Sequence, residues 1–280
     1  MLRVALIGSP QKSTAADLLD RTRRWLAQRV EIVFSEITFD ASRALASKPD
    51  VLFVLGGDGT LIAVVQSLRQ NQIPIVGINL GKLGFLAEFN IDQLEQDGEF
   101  LFSGVLPVTR RILLHVRIQN GESGSFEALA VNDCVVLNGP PYRMIELRME
   151  ADGDSVAELR GDGMIIATPS GSTAHNLSAG GPILEPTAES LILTPVCPHA
   201  LTFRPLVMNS SRRLTLQVTR ANEGTTAVID GQITRPLRAT DRLTITRYPA
   251  DFLLVRNPVR SPWYSLRRKL MWGEAPKNVS

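Results

Sequence analysis

The stretch VLFVLGGDGTLIAVV, residues 51–65, sets Gly56, Gly57, Asp58, Gly59 and Thr60 between two apolar runs. Glycines lack a Cβ and reach φ > 0 at little cost, so their N–H groups can converge on phosphate oxygens. A helix starting near Thr60 would add the positive end of its dipole. The phosphate-binding candidates are therefore Gly56, Gly57, Gly59 and Thr60. Asp58 repels phosphate, so its place there suits a base beside a phosphoryl acceptor or a partner for Mg²⁺. The competing reading is a tight Gly-Asp-Gly turn without chemistry; the coincidence of strand, doubled glycine and helix favours phosphate.

Other phosphate and hydrolytic devices are missing. No GxGxxG follows a strand, which disfavours a Rossmann dehydrogenase. No GxxxxGK[ST] occurs: Gly77 to Gly81-Lys82 is one residue short and lacks the hydroxyl. His115, His175 and His199 lie far apart without HExxH spacing, against zinc hydrolysis. The second chemistry-bearing stretch runs from Arg160 through Asp162 and Thr168-Pro-Ser-Gly-Ser-Thr173-Ala174-His175-Asn176-Leu177-Ser178 to Pro182. It presents short hydroxyl, amide and glycine groups directly after the apolar run Met164–Ala167, which suits a ribose and a dinucleotide backbone better than a surface linker.

These stretches need elements to hold them. Arg3–Gly8, Val30–Phe34, Val51–Leu55 and Ile75–Asn79 read as strands, the third without polar alternation. Ala15–Arg29, Ala41–Ala46 and Thr60–Arg69 read as helices between them, the first opened by a capping-box pattern at Thr14 and Asp17. Apolar strands alternating with helices predict a doubly wound parallel α/β domain over residues 1–102. Beyond Phe102 the helical period disappears. Arg111–Gln119, Phe126–Leu137, Arg143–Glu150, Arg213–Arg220, Thr225–Asp230 and Arg242–Tyr248 read as strands, with Asp152-Gly153 and Asp230-Gly231 as hairpin turns. An antiparallel β-sandwich over 103–250 is expected. The tail 251–280 contains WYSLRRKLMW, read as a terminal helix docking on the body in preference to a membrane-binding segment.

The chain has 280 residues, 44% of them hydrophobic and 21% charged, enough apolar material for a packed core. A net charge of +2 gives no electrostatic footprint for nucleic acid. Cys134 and Cys197 form no CxxC and are expected to be reduced thiols in or near the core of a cytoplasmic protein. Neither a signal peptide nor a membrane span is expected.

The GGDGT loop resembles the signature shared by 6-phosphofructokinases, lipid kinases of the diacylglycerol and sphingosine type, and NAD kinases. The block GDG…TPSGSTA…LSAGGPI, with NLGKLGFLAEF (Asn79–Phe89) and VNDCVVL (Val131–Leu137), resembles NAD kinase along nearly the whole chain. That resemblance implies phosphorylation of the 2′-hydroxyl of the adenosine ribose of NAD to NADP, with ATP or inorganic polyphosphate as donor and a divalent cation, Mg²⁺. It implies Asp58 as the catalytic base, with Gly59 against the same ligand. Asn132 and Asp133 match the family's Asn-Glu pair, the acid here one methylene shorter. Arg143, Arg160 and Asp162 match further dinucleotide contacts, some supplied by a neighbouring subunit. Thr173, Ala174, His175, Asn176, Leu177 and Ser178 match the ribose- and base-lining loop, His175 standing where the family usually has Tyr. Gln232 matches a late contact. The resemblance also implies a homodimer or homotetramer and a tail that returns to the N-terminal domain. Taken alone, Arg143 reads as a solvated rim charge and Asn132-Asp133 as an ordinary β-bulge or turn. A lipid kinase and a non-catalytic NAD(H) sensor are the competing functions; the polar Ser/Thr/Asn loop opposes the first and the intact Asp58 the second.

Overall fold

The computed structural model describes residues 1–81, 84–119, 124–261 and 263–273. Lys82 and Leu83 of the Asn79–Phe89 stretch, and Pro262 and residues 274–280 of the tail, lie outside the described residues. The chain divides into two compact units: residues 1–68, 73–109 and 253–280 form one, and residues 69–72 and 110–252 the other.

In the first unit β1 (Arg3–Gly8), α1 (Ala15–Leu26), β2 (Glu31–Ile37), α2 (Ser42–Ala46), β3 (Val51–Leu55), α3 (Asp58–Leu68) and β4 (Ile75–Ile78) alternate. α4 (Ile91–Asp97) and β5 (Val108–Arg111) follow, and the chain later returns as β18 (Phe252–Val255) and α6 (Tyr264–Leu270). The sheet order is β2-β1-β3-β4-β18-β5, with β1–β2, β1–β3, β3–β4 and β4–β18 parallel. Every residue of β3 and β4 is buried, as a sheet covered on both faces requires. Leu19 and Leu26 of α1 pack with Val4, Leu6, Phe53 and Val76 on one face. Leu61 of α3 presses on Gly77, whose side of β4 is the other face. The doubly wound expectation therefore holds.

Two local expectations do not. Thr14 already has helical dihedrals (φ −84°, ψ −1°) and makes no side-chain capping bond. The capping geometry needs an extended N-cap, and it occurs instead at α4, between Asn90 and Gln93. Helix α3 starts at Asp58 rather than Thr60, so the acid sits in its first turn.

The second unit is a two-layer antiparallel sandwich. One sheet orders β10-β9-β14-β17-β6-β7 and the other β13-β12-β11-β8-β15-β16. The first takes β6 (Leu114–Gln119), β7 (Ser125–Ala130), β9 (Ile145–Ala151), β10 (Asp154–Gly161), β14 (Leu214–Arg220) and β17 (Arg242–Arg247). The second takes β8 (Asp133–Leu137), β11 (Gly163–Ala167), β12 (Ser190–Val196), β13 (Leu206–Asn209), β15 (Thr226–Ile229) and β16 (Ile233–Pro236). Val116, Leu147, Leu216 and Ile245 of one layer share a core with Val136, Ile166, Leu193 and Ile229 of the other. Val135, Ile165, Ala167 and Ile192 face the opposite side of the second sheet, where Ala179 and Leu184 pack on them. Burial on both faces explains why β11 reads as an unbroken apolar run. Asp152-Gly153 (φ 53° and 94°) and Asp230-Gly231 (φ 51° and 66°) turn the β9–β10 and β15–β16 hairpins in left-handed conformation.

The run Phe126–Leu137 is not one strand: β7 ends at Ala130 in one layer and β8 begins at Asp133 in the other. The run Arg111–Gln119 likewise splits into β5 and β6. Cys134 is buried, but Cys197 is exposed, contrary to the expectation of a core or near-core position. Among the described residues no helix is long and apolar enough to cross a membrane.

Candidate functional site

The glycine turn caps the carboxyl end of β3, the place where open α/β sheets bind ligands. Gly56 N–H donates to Ile78 O at 2.9 Å, tying the turn to β4. A side chain on Gly56 would run into Thr60, which is buried. None of Gly56, Gly57 and Gly59 takes a positive φ; their value is close approach, a correction to the sequence reading. Gly57 O accepts from Thr60 N–H (3.0 Å) and Leu61 N–H (3.2 Å) and so opens α3. Among the described residues, the N–H groups of Gly57 and Asp58 have no protein acceptor, as the first turn of a helix dictates. Space is open beside Gly57.

Asp58 is half-buried, and its carboxylate faces the loop that follows β4. Oδ2 accepts from Phe85 N–H at 2.8 Å, and Oδ1 from Leu86 N–H at 3.1 Å and Ala87 N–H at 3.4 Å. Gly84 is required beside it, since a Cβ there would fall on Oδ1. Three N–H donors fix the carboxylate, yet a carboxylate has about four lone-pair positions. Among the described residues Oδ2 has one donor and keeps one such position.

In the second unit Asp230 organises the start of β8. Its carboxylate accepts from Val131 N–H (2.8 Å), Asn132 N–H (2.7 Å) and Asp133 N–H (3.0 Å), which is why the chain breaks there and crosses between layers. Asp133 is 4% exposed; burial, and then the Asp230 charge, push its carboxyl up to about 7. Asn132 O accepts from Thr168 N–H at 2.8 Å, and Thr168 Oγ1 donates to Val131 O at 2.7 Å. A Cβ on Gly171 would strike Asn132 O, so the Thr168–Ser178 loop rests directly on the Asn132 backbone.

Within that loop Asn176 is fully buried and consumed by the protein. Its Nδ2 donates to Ser172 O and Pro182 O, each at 3.0 Å, and its Oδ1 accepts from Thr194 Oγ1 at 2.6 Å. It shapes the loop from within. Thr173, Ala174 and Leu177 are half-buried, and His175 and Ser178 are exposed. Gln232 is exposed two residues past Asp230.

Arg143, Arg160 and Asp162 form a separate group. Asp162 accepts from Asn138 Nδ2 at 2.9 Å, and the same amide reaches Arg143 O at 3.5 Å. Arg143 and Arg160 are exposed, Arg160 lying 3.9 Å from Glu146. The exposed Cys197 thiol is raised by its hydrogen bond to Asp162. β11 pairs Gly163 with Leu137 at one end and Ala167 with Asp133 at the other. At about 3.4 Å per residue, one chain thus holds Asp162 roughly a strand length from the Asn132–Ser178 cluster. Sequence reasoning missed the joining roles of Asp230, Gly84 and the Phe85–Ala87 N–H groups. Asp230 carried a turn signal only, and backbone donors leave no mark on residue type.

A parallel sheet with a glycine turn at a helix start, joined to an antiparallel sandwich with a hydroxyl-rich loop, defines a nucleotide-handling phosphotransferase class. Residues 35–104 match the ATP-NAD kinase N-terminal domain and residues 131–257 the ATP-NAD kinase C-terminal domain. The chain is 36% identical over 273 residues to the NAD kinase of Rhodopirellula baltica, covering 97% of this chain and 87% of that protein. It is 35% identical over 283 residues to the NAD kinase of Syntrophobacter fumaroxidans, covering 98% and 100%. The fold superimposes on yeast NADH kinase complexed with NADH with a TM-score of 0.84 at 21% identity, covering 100% of this chain and 90% of that one. An NAD kinase from Archaeoglobus fulgidus in complex with ATP gives a TM-score of 0.78 at 27% identity, covering 96% and 99%. The chain belongs to the NAD kinase family.

Proposed function

We propose that this chain phosphorylates NAD to NADP at the Gly56–Thr60 turn, with Asp58 as the base and ATP as the donor. The observation that carries the reading is the Asp58 carboxylate, held by Phe85, Leu86 and Ala87 beside the Gly57 and Asp58 N–H groups, which have no acceptor among the described residues. Phosphoryl transfer asks mainly for positioning and charge stabilisation. The acceptor is the adenosine ribose 2′-hydroxyl. Its oxygen bonds to the γ-phosphorus, the bond from that phosphorus to the bridging oxygen breaks to release ADP, and the hydroxyl proton passes to Asp58. The Gly57 and Asp58 N–H groups and the α3 dipole favour phosphate at the turn.

NAD contacts are assigned to Asp58, Gly59, Asn132, Asp133, Thr173, Ala174, His175, Leu177, Ser178 and Gln232, with Asn176 holding the loop. Phosphate contacts go to the turn in the N-terminal α/β domain, and NAD contacts largely to the β-sandwich domain. Among the described residues no group of three His, Cys, Asp or Glu side chains is placed to hold a metal. Mg²⁺ usually keeps waters and takes one or two carboxylates plus phosphates, so an ion carried on the donor's phosphates needs no such cluster, and Asp58 stays the base. Such an ion would neutralise charge on the phosphates.

Arg143, Arg160 and Asp162 are proposed to serve a neighbouring copy in a homodimer or homotetramer, because one chain separates them from the Asn132–Ser178 cluster. A cytoplasmic location belongs to the same reading and is supported by the unpaired Cys134 and Cys197. The test is formation of NADP from NAD, Mg²⁺ and either ATP or polyphosphate. Asp58→Asn should bind NAD normally and lose ~10²–10⁴-fold in kcat; full turnover by that variant would end the assignment.

A further inference from the structure

The loop that fixes Asp58 is itself fixed by the C-terminal return of the chain. Arg260 Nη1 donates to Glu88 O at 2.5 Å, directly after the three residues whose N–H groups hold the carboxylate. Arg260 Nη2 donates to Gln93 Oε1, and Gln93 is part of the α4 capping box. The guanidinium also lies 4.7 Å from the centroid of the Tyr264 ring. Lys269 of α6 sits 4.3 Å over the ring of Phe85, the residue with the shortest bond to Asp58.

A guanidinium is a planar fork with fixed donor directions. Here one arm holds the carbonyl directly after the three amides and the other holds the start of the next helix, which ties down the end of the Phe85–Ala87 segment. We infer that Arg260 is a positioning residue for the Asp58 carboxylate, acting through Glu88 and the Phe85–Ala87 amides, with Lys269 as a second hold on Phe85. The inference rests on the base role proposed for Asp58.

The test compares Arg260→Ala, Arg260→Lys and Lys269→Ala with Asp58→Asn, all as full chains. Steady-state kinetics is read alongside hydrogen exchange at the Phe85, Leu86 and Ala87 amides. Misplacing a reacting group by an ångström costs up to ~10²-fold. Arg260→Ala should therefore lower kcat about 10- to 100-fold with KM for NAD and ATP within about twofold. The three amides should exchange faster, and Arg260→Lys should recover part of kcat. Unchanged amide protection in Arg260→Ala overturns the inference. So does faster exchange with normal kcat while Asp58→Asn is inactive, because the carboxylate then needs no such hold. If Arg260→Ala does not fold, Lys269→Ala is read by the same criteria with a smaller loss of kcat. Full activity of Asp58→Asn instead removes the base role itself, and that result is read without any Arg260 variant.

Discussion

Asp133, a buried acid at the start of β8, carries an unusual proton balance. Its carboxyl titrates near 7 in the fold because burial and the neighbouring Asp230 disfavour its charge. In the unfolded chain it titrates near the ordinary 3.8. Between those values the folded state binds more protons, so this group lowers stability as pH rises from about 4 to 7. Complete ionisation corresponds to an upper bound of roughly 4 kcal/mol. Asp133→Asn is therefore expected to be more stable than the parent at pH 8 and no more stable at pH 4, as thermal unfolding at the two values will reveal.

At the scale of elements, the crossing from β7 to β8 depends on one acceptor. Asp230→Ala strips three N–H groups of their partner at a junction between layers. The expected loss is about 3 kcal/mol, read as a lower urea midpoint; a loss below ~1 kcal/mol would mean that water replaces the carboxylate without cost. The same junction marks where the sequence was legible and where it was not. Strands β1, β3 and β4 could be read from apolar runs because both faces of their sheet are covered, and the two Asp-Gly turns from their need for left-handed backbone. The break at Val131-Asn132 was marked only by the polar Asn132-Asp133 pair inside an otherwise apolar run, a pair that suits a turn but does not reveal a change of layer, and the acceptor that interrupts the run lies 97 to 99 residues away. Asp58 was legible by its glycines, but not the turn of its side chain toward Phe85–Ala87. Asn176 was legible as a loop residue, whereas its burial follows from Thr194 and Pro182 packing around it.

For the whole molecule, the separation of Asp162 from Asp133 along β11 makes assembly part of the proposed site. If a second copy supplies Arg143, Arg160 and Asp162, dilution from dimer or tetramer to monomer should weaken NAD affinity by about tenfold or more, ~1.4 kcal/mol. Paired sedimentation and fluorescence titrations will test this, and an unchanged affinity in demonstrated monomer would return those three residues to the solvent. The place of β18 has a consequence for biosynthesis. It is the strand between β4 and β5, yet it is translated after the entire sandwich. At ribosomal speeds of roughly 5–20 residues per second, an apolar edge of β4 waits on the order of ten seconds for its neighbour. The sandwich, contiguous in sequence, is free to mature first, and the earliest part of the chain to emerge is the last to close.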